Sequence, residues 1–100
     1  MNVLPLSSHE NDAVAWIFDN THLGKHAQAR QAYDAQAHTV DFDPIEPDAY
    51  KWSTGELVML ALIRQIALNV YDFDTTRLMV LDTTTRFHCL HAIMLARAGR

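Results

Sequence analysis

Ser53-Thr54-Gly55-Glu56 opens the run Leu57-Val58-Met59-Leu60-Ala61-Leu62-Ile63-Arg64-Gln65-Ile66-Ala67-Leu68-Asn69-Val70, and the reading of this stretch decides the fold. A serine with a glutamate three positions on forms a capping box. The serine oxygen accepts from the amide of the third helical residue, and the carboxylate reaches back to the amide of the serine. In the run that follows, only Arg64, Gln65 and Asn69 are polar, and they make a single strip. A helix apolar around most of its circumference belongs in the middle of a protein. The expectation is an all-α single domain with the helix from Thr54 to Val70 at its centre.

Upstream, residues 1–7 read as an irregular arm. Ser8 or Asn11 can cap a first helix, which carries Ala13, Val14, Trp16, Ile17 and Phe18 and ends at Gly24. A second helix is expected over Lys25 to Ala37, rich in alanine and glutamine, with Ala29, Tyr33 and Ala37 as its buried stripe beside Ala32. Residues 39–53 form an acidic linker. Its Val40-Asp41-Phe42-Asp43 alternates with the period of a strand, but Pro44 and Pro47 cut the pattern short. Downstream, Asn69 to Asp74 closes the central helix, and Asp74 or Thr75 caps a short helix running to Leu81. Asp82 caps the last, Thr83 to Ala98, which Gly99 ends. The inner face of that last helix is expected at Phe87, Leu90, Ile93 and Met94. The sum is four main helices and one short one, with the linker between the second and third, all within one domain over residues 1–100.

Composition narrows the function classes. The chain has 100 residues, 49% hydrophobic, and a net charge of −4, which suits one globular domain. Cys89 is the single cysteine, so no internal disulfide can form. The longest apolar stretch, Leu57 to Ile63, is seven residues, against about 20 for a membrane span. The N-terminus has no basic segment followed by an apolar core of signal-peptide length. These features point to a cytoplasmic protein. Residues 39–82 carry eight acids and three bases, whereas residues 83–100 carry only Arg86, Arg97 and Arg100. An acidic middle repels phosphate and three arginines make a poor nucleic-acid footprint.

No pattern of catalytic residues emerges. Cys89 sits mid-helix among apolar neighbours, Ser53 is explained by capping, and no cofactor motif is present. His22 and His26, and His88 and His91, have spacings that a metal could use, but Gly24 interrupts the first pair. Trp52-Ser53-Thr54-Gly55-Glu56 and Leu78-Met79-Val80-Leu81-Asp82 superficially resemble the signature loop and Walker B strand of ABC-type ATPases. That reading fails because Gly24-Lys25 is followed by His26 and lies in no glycine-rich phosphate loop. The block from Trp52 to Gly99 is similar to small helical proteins of actinobacteria and their phages. Trp52, Ser53, Gly55, Glu56, Leu81, Asp82, Ala96, Ala98 and Gly99 carry the likeness, which implies a helical fold and no activity.

The functional expectation is therefore a non-enzymatic protein-binding module, such as a phage or mobile-element regulator or inhibitor of a host protein. Its contact residues would be Asp41, Asp43, Glu46, Asp48, Tyr50 and Trp52, aromatic anchors within an acidic rim that selects a basic partner. The sparse polar surface of the central helix adds an expectation of homodimers. The alternatives are a metal-binding protein using His22, His26, His88 and His91, and a small enzyme whose site exists only once the chain has folded.

Overall fold

In the computed structural model, which describes residues 3–70 and 74–98, the chain is mostly helical but not purely so. A short strand, β1 (Val3–Pro5), replaces the expected irregular arm. It leads to α1 (Ser8–Asn20), capped by Ser7 rather than Ser8 or Asn11. Ser7 Oγ accepts from the Glu10 amide at 3.2 Å, and Glu10 Oε1 accepts from the Ser7 amide at 2.8 Å. This is a second capping box, present in the sequence as Ser7-x-x-Glu10.

The alanine-rich segment departs most from expectation. A 3₁₀ turn occupies His22–Lys25, and α2 covers only Ala27–Ala32. Ala29 and Ala32 are buried, but Ala37 is exposed in a loop. Tyr33–Asp34 becomes β2, turned onto β3 (Thr39–Asp41), and β1 pairs on the other side of β3 to give the antiparallel order β1-β3-β2. Two features make this turn. The Asp34 carboxylate accepts from the amides of Gln36 and Ala37, both at 3.0 Å, and His38 takes the left-handed conformation at φ 56°. Helix propensity in an alanine-rich stretch is worth tenths of a kcal/mol per residue, too little to resist strand pairing on both sides of Val40, which is buried.

After a 3₁₀ turn at Glu46–Lys51 comes α3 (Thr54–Ala67), opened by the Ser53/Glu56 capping box. It stops before Val70. Asn69 adopts φ 67°, and the amides of Asn69 and Val70 donate to the carbonyls of Ile66 and Gln65. This pair of bonds is the Schellman ending, with asparagine where glycine is usual. The 3₁₀ turn Thr75–Val80 and α4 (Thr83–Arg97) follow, capped by Asp74 and Asp82. The expected turn through Tyr71, Asp72 and Phe73 and the stop at Gly99 lie outside the described residues.

The most extensive contact between elements joins α1 to α4, with α3 packed on both. The central position expected for α3 is therefore shared. The inner face of α4 is Thr85, Cys89, Ala92, Ile93 and Ala96, and it meets Ala13, Val14 and Ile17 of α1. Small side chains let the two helices approach closely. Phe87 and Met94, expected inside, are 65% and 68% exposed. α3 buries Val58, Met59, Leu62, Ile63 and Ile66 and leaves Leu57 and Leu60 to the linker side. Among the described residues, no helix is long and apolar enough to cross a membrane.

Candidate functional site

The chain from Asp41 to Ser53 passes beside α3 as a strap, tied by side-chain bonds to Gln28 and Arg64. Its first bend is an Asx turn, in which Asp41 Oδ1 accepts from the Asp43 amide at 3.0 Å. Phe42 and Ile45 then point inward and are buried. Arg64 of α3 donates to Glu46 Oε1 at 2.8 Å, and its guanidinium lies 4.8 Å from the centre of the Phe42 ring. One arginine thus fixes both an acid and an aromatic residue of the strap.

Gln28 of α2 fixes the other edge. Its amide nitrogen donates to the Pro44 carbonyl at 2.7 Å and to Asp48 Oδ2 at 3.3 Å, while its oxygen accepts from the Trp52 indole at 3.0 Å. His26 packs against Trp52 with ring centres 4.1 Å apart and accepts from the Ala29 amide through Nδ1, which caps α2. Its Nε2 lies 3.9 Å from Glu56 Oε2. The amide of Ser53, and then its hydroxyl, hold the Glu56 carboxyl below the usual carboxylate range, with His26 adding to the effect. Trp52, only 6% exposed, is therefore an inward anchor of the strap, and its place among the expected contact residues falls away.

Tyr50 points outward from this scaffold. It is 80% exposed on the 3₁₀ turn, with Lys51 Nζ 5.6 Å from its ring centre and 3.6 Å from Asp48 Oδ1. The same 3₁₀ turn contributes Ala49 to a shallow groove of about 340 Å³ between the strap and α3, lined also by Ile45, Leu57, Leu60 and Ala61, with the Glu46–Arg64 pair at its edge. The structure brings Glu46, Asp48 and Tyr50 to one turn, while Asp41 and Asp43 lie at the strand end of the strap. Leu57 and Leu60 join this surface without having been expected there. Their signal in the sequence is an apolar outer face on a helix whose inner face is already sufficient.

The other candidates come out differently. Trp16 lies between His88 and His91, with ring centres 5.8 and 4.3 Å away. Among the described residues, no three His, Cys, Asp or Glu side chains are placed to hold a metal ion. The Cys89 thiol is pushed up to about 12 by burial, which leaves no thiolate at neutral pH. A second cleft, of about 480 Å³, is lined by Phe18, Asp19, Lys25, Arg30 and Tyr33. The Tyr33 phenol is pushed up to about 12, first by burial and then by Asp19, Asp12 and Asp34. It donates to Asn11 Oδ1 at 2.7 Å, so it is occupied as a structural donor. Set against known proteins, the chain matches no family model, no curated protein and no solved structure.

Proposed function

We propose that this chain is a non-enzymatic protein-binding module that offers the strap face of α3 to a basic segment of another protein. The supporting observation is Tyr50, a large aromatic side chain left 80% exposed on a turn whose flanks are pinned by Gln28, Arg64 and Trp52. An amphipathic ring on a turn that also lines an apolar groove is the kind of anchor from which binding hot spots are built, because a tyrosine loses little entropy on contact. Counting Asp41, Asp43, Glu46 and Asp48 against Lys51 and Arg64 leaves the face at −2, which steers a cationic partner toward it. A phage or mobile-element regulator or inhibitor of a host protein is the form we propose for such a module.

The test is capture of a partner from host lysate at several salt concentrations, by the native chain and by Tyr50→Ala. Because Tyr50 is exposed, the substitution should leave the melting temperature within about 1–2 °C, in keeping with surface changes below roughly 0.5 kcal/mol. Binding should weaken with salt and fall at least about tenfold in the variant. Capture that ignores both salt and Tyr50 sinks the assignment.

A further inference from the structure

His26 stands where the strap, α2 and α3 meet. Its ring packs on Trp52, its Nδ1 accepts from the Ala29 amide at 3.3 Å, and its Nε2 lies 3.9 Å from Glu56 Oε2. These contacts fix the place of the proton. A ring nitrogen that accepts carries no hydrogen, so neutral His26 holds its one N–H on Nε2, facing the carboxylate. In a charged imidazole both nitrogens are donors. The Ala29 amide then faces another N–H, and α2 loses its N-cap. On the opposite side of the ring, charge strengthens the attraction to Glu56. The 3.9 Å gap leaves room to close to a charge-assisted bond of about 2.7–2.9 Å. A single proton thus ends one contact and tightens the other.

We propose that His26 is a pH switch between α2 and α3: neutral, it caps α2 through Nδ1; charged, it gives up that cap, closes on Glu56 and loosens the grip of Gln28 on the strap. The coupling follows from the length of α2. Ala27–Ala32 is six residues, far below the length at which a helix holds by itself, so losing the cap acts on most of it. Gln28 sits in its first turn and holds Pro44, Asp48 and Trp52. Fraying of that turn therefore moves the side chain that ties the strap. The charged groups around the ring agree with this direction. Ser53 holds Glu56 below the usual carboxylate range, so Glu56 stays ionised over the interval of about pH 5–8 in which histidines change charge. His22, in the preceding turn, acts on Glu56 and on Asp82 at the start of α4. On the strap, Asp48 is engaged by Gln28 and Lys51. Lys25 and Arg30, on either side of His26 in the chain, line the cleft with Phe18 and Tyr33. The consequence for binding, a strap face weakened in mild acid, rests on the function proposed above; the switch itself does not.

Nitrogen-15 spectra of the native chain, from about pH 8 to about pH 5, test the switch without a partner. At the alkaline end the His26 ring should be the Nε2–H tautomer. As the ring charges, the protection factor of the Ala29 amide should fall about two- to thirtyfold, the range that a helix cap supplies. The Trp52 indole N–H signal should move with the same midpoint. His26→Asn can cap α2 but carries no charge, so it should keep Ala29 protected at both ends of the range. Glu56→Gln preserves the capping box and removes the counter-ion of the charged ring, so the transition should move to lower pH. The native measurements decide the matter even where asparagine disturbs the packing on Trp52. An Nδ1–H tautomer overturns the proposal, as does an Ala29 amide indifferent to the charge of the ring or a Trp52 signal that does not follow it. A transition that survives in His26→Asn belongs to His22 and overturns it too, as does one unmoved in Glu56→Gln.

Discussion

Gly24→Ala and Gly55→Ala make the same chemical change with opposite expected results. At Gly24 an added Cβ would lie 1.9 Å from the Phe18 carbonyl oxygen. Non-bonded atoms settle near about 3.5 Å, so the His22–Lys25 turn must move by more than about 1 Å. The obstruction is helix backbone, which cannot rotate aside. Leu23, fully buried in the same turn, must move with it. Overpacking of this kind costs about 1–3 kcal/mol, and partial withdrawal of a leucine adds about 1–2 kcal/mol. Stiffening of the unfolded chain returns only about 0.4–1 kcal/mol. The net loss is about 2–4 kcal/mol, a large share of the roughly 5–15 kcal/mol that holds a domain together. At Gly55 the nearest atom is Leu81 Cδ2, at 3.2 Å, the mobile end of a side chain. Alanine there gains about 0.5–1 kcal/mol of helix propensity, so the variant should be neutral or slightly stabilised. Urea melts followed by far-UV circular dichroism measure both. Gly24→Asn sharpens the comparison. A glycine needed for a left-handed helix end would accept asparagine, but Gly24 does not have positive φ, so asparagine should fail as alanine does. If Gly24→Ala lies within about 0.5 kcal/mol of the native chain, or Asn restores what Ala loses, the close-approach argument is wrong.

Ile63→Ala should cost about 2–5 kcal/mol, since Ile63 is 1% exposed in the core, whereas Leu60→Ala, at the groove, should cost under about 1.5 kcal/mol. Equal losses in the same melts would mean that the strap covers α3 more fully than the structure shows. Acid should destabilise the fold through its caps. Hydrogen bonds from Ser53, Thr76 and Thr85 hold the carboxyls of Glu56, Asp74 and Asp82 below their ordinary values. In each case the folded value lies below the unfolded one, so the unfolded chain takes up protons first. The stabilisation is complete above about pH 5 and is lost as pH falls through about 4 and below. A melting temperature that stays flat from about pH 6 to pH 3 would contradict this.

What can be read from the residues alone follows the range of the interactions involved. Caps are local, so Ser53/Glu56, Asp74 and Asp82 announce helix starts within four residues, and Ser7-x-x-Glu10 carries the same signal for α1. The short α2 is hidden because Tyr33 and Asp34 pair with Thr39 and Val40, a contact that alanine content does not forecast. The inner face of α4 is misleading for a related reason. Ranking side chains by hydrophobic size favours Phe87 and Met94, while the tight approach of α1 selects Cys89, Ala92 and Ala96. In the strap, Trp52 and Tyr50 are indistinguishable as sequence. Gln28, 24 residues from Trp52, and His26 hold the indole that turns inward.

The pairing of the first helix with the fourth also sets an order of events during synthesis. Ala13, Val14 and Ile17 are made well before the surface that covers them, around Cys89, Ala92 and Ala96. At about 5–20 residues per second, the 72 residues from Ile17 to Cys89 (89 − 17) take on the order of 4–14 s, and for that time the face lacks its main cover. The strap, the sheet and α3 can meet sooner, and α1 can rest on α3 and the His22–Lys25 turn, but its most extensive contact waits until α4 leaves the exit tunnel. The interval is one in which a chaperone would find the inner face of α1 open, and a chain cut short before Thr83 could not complete its core.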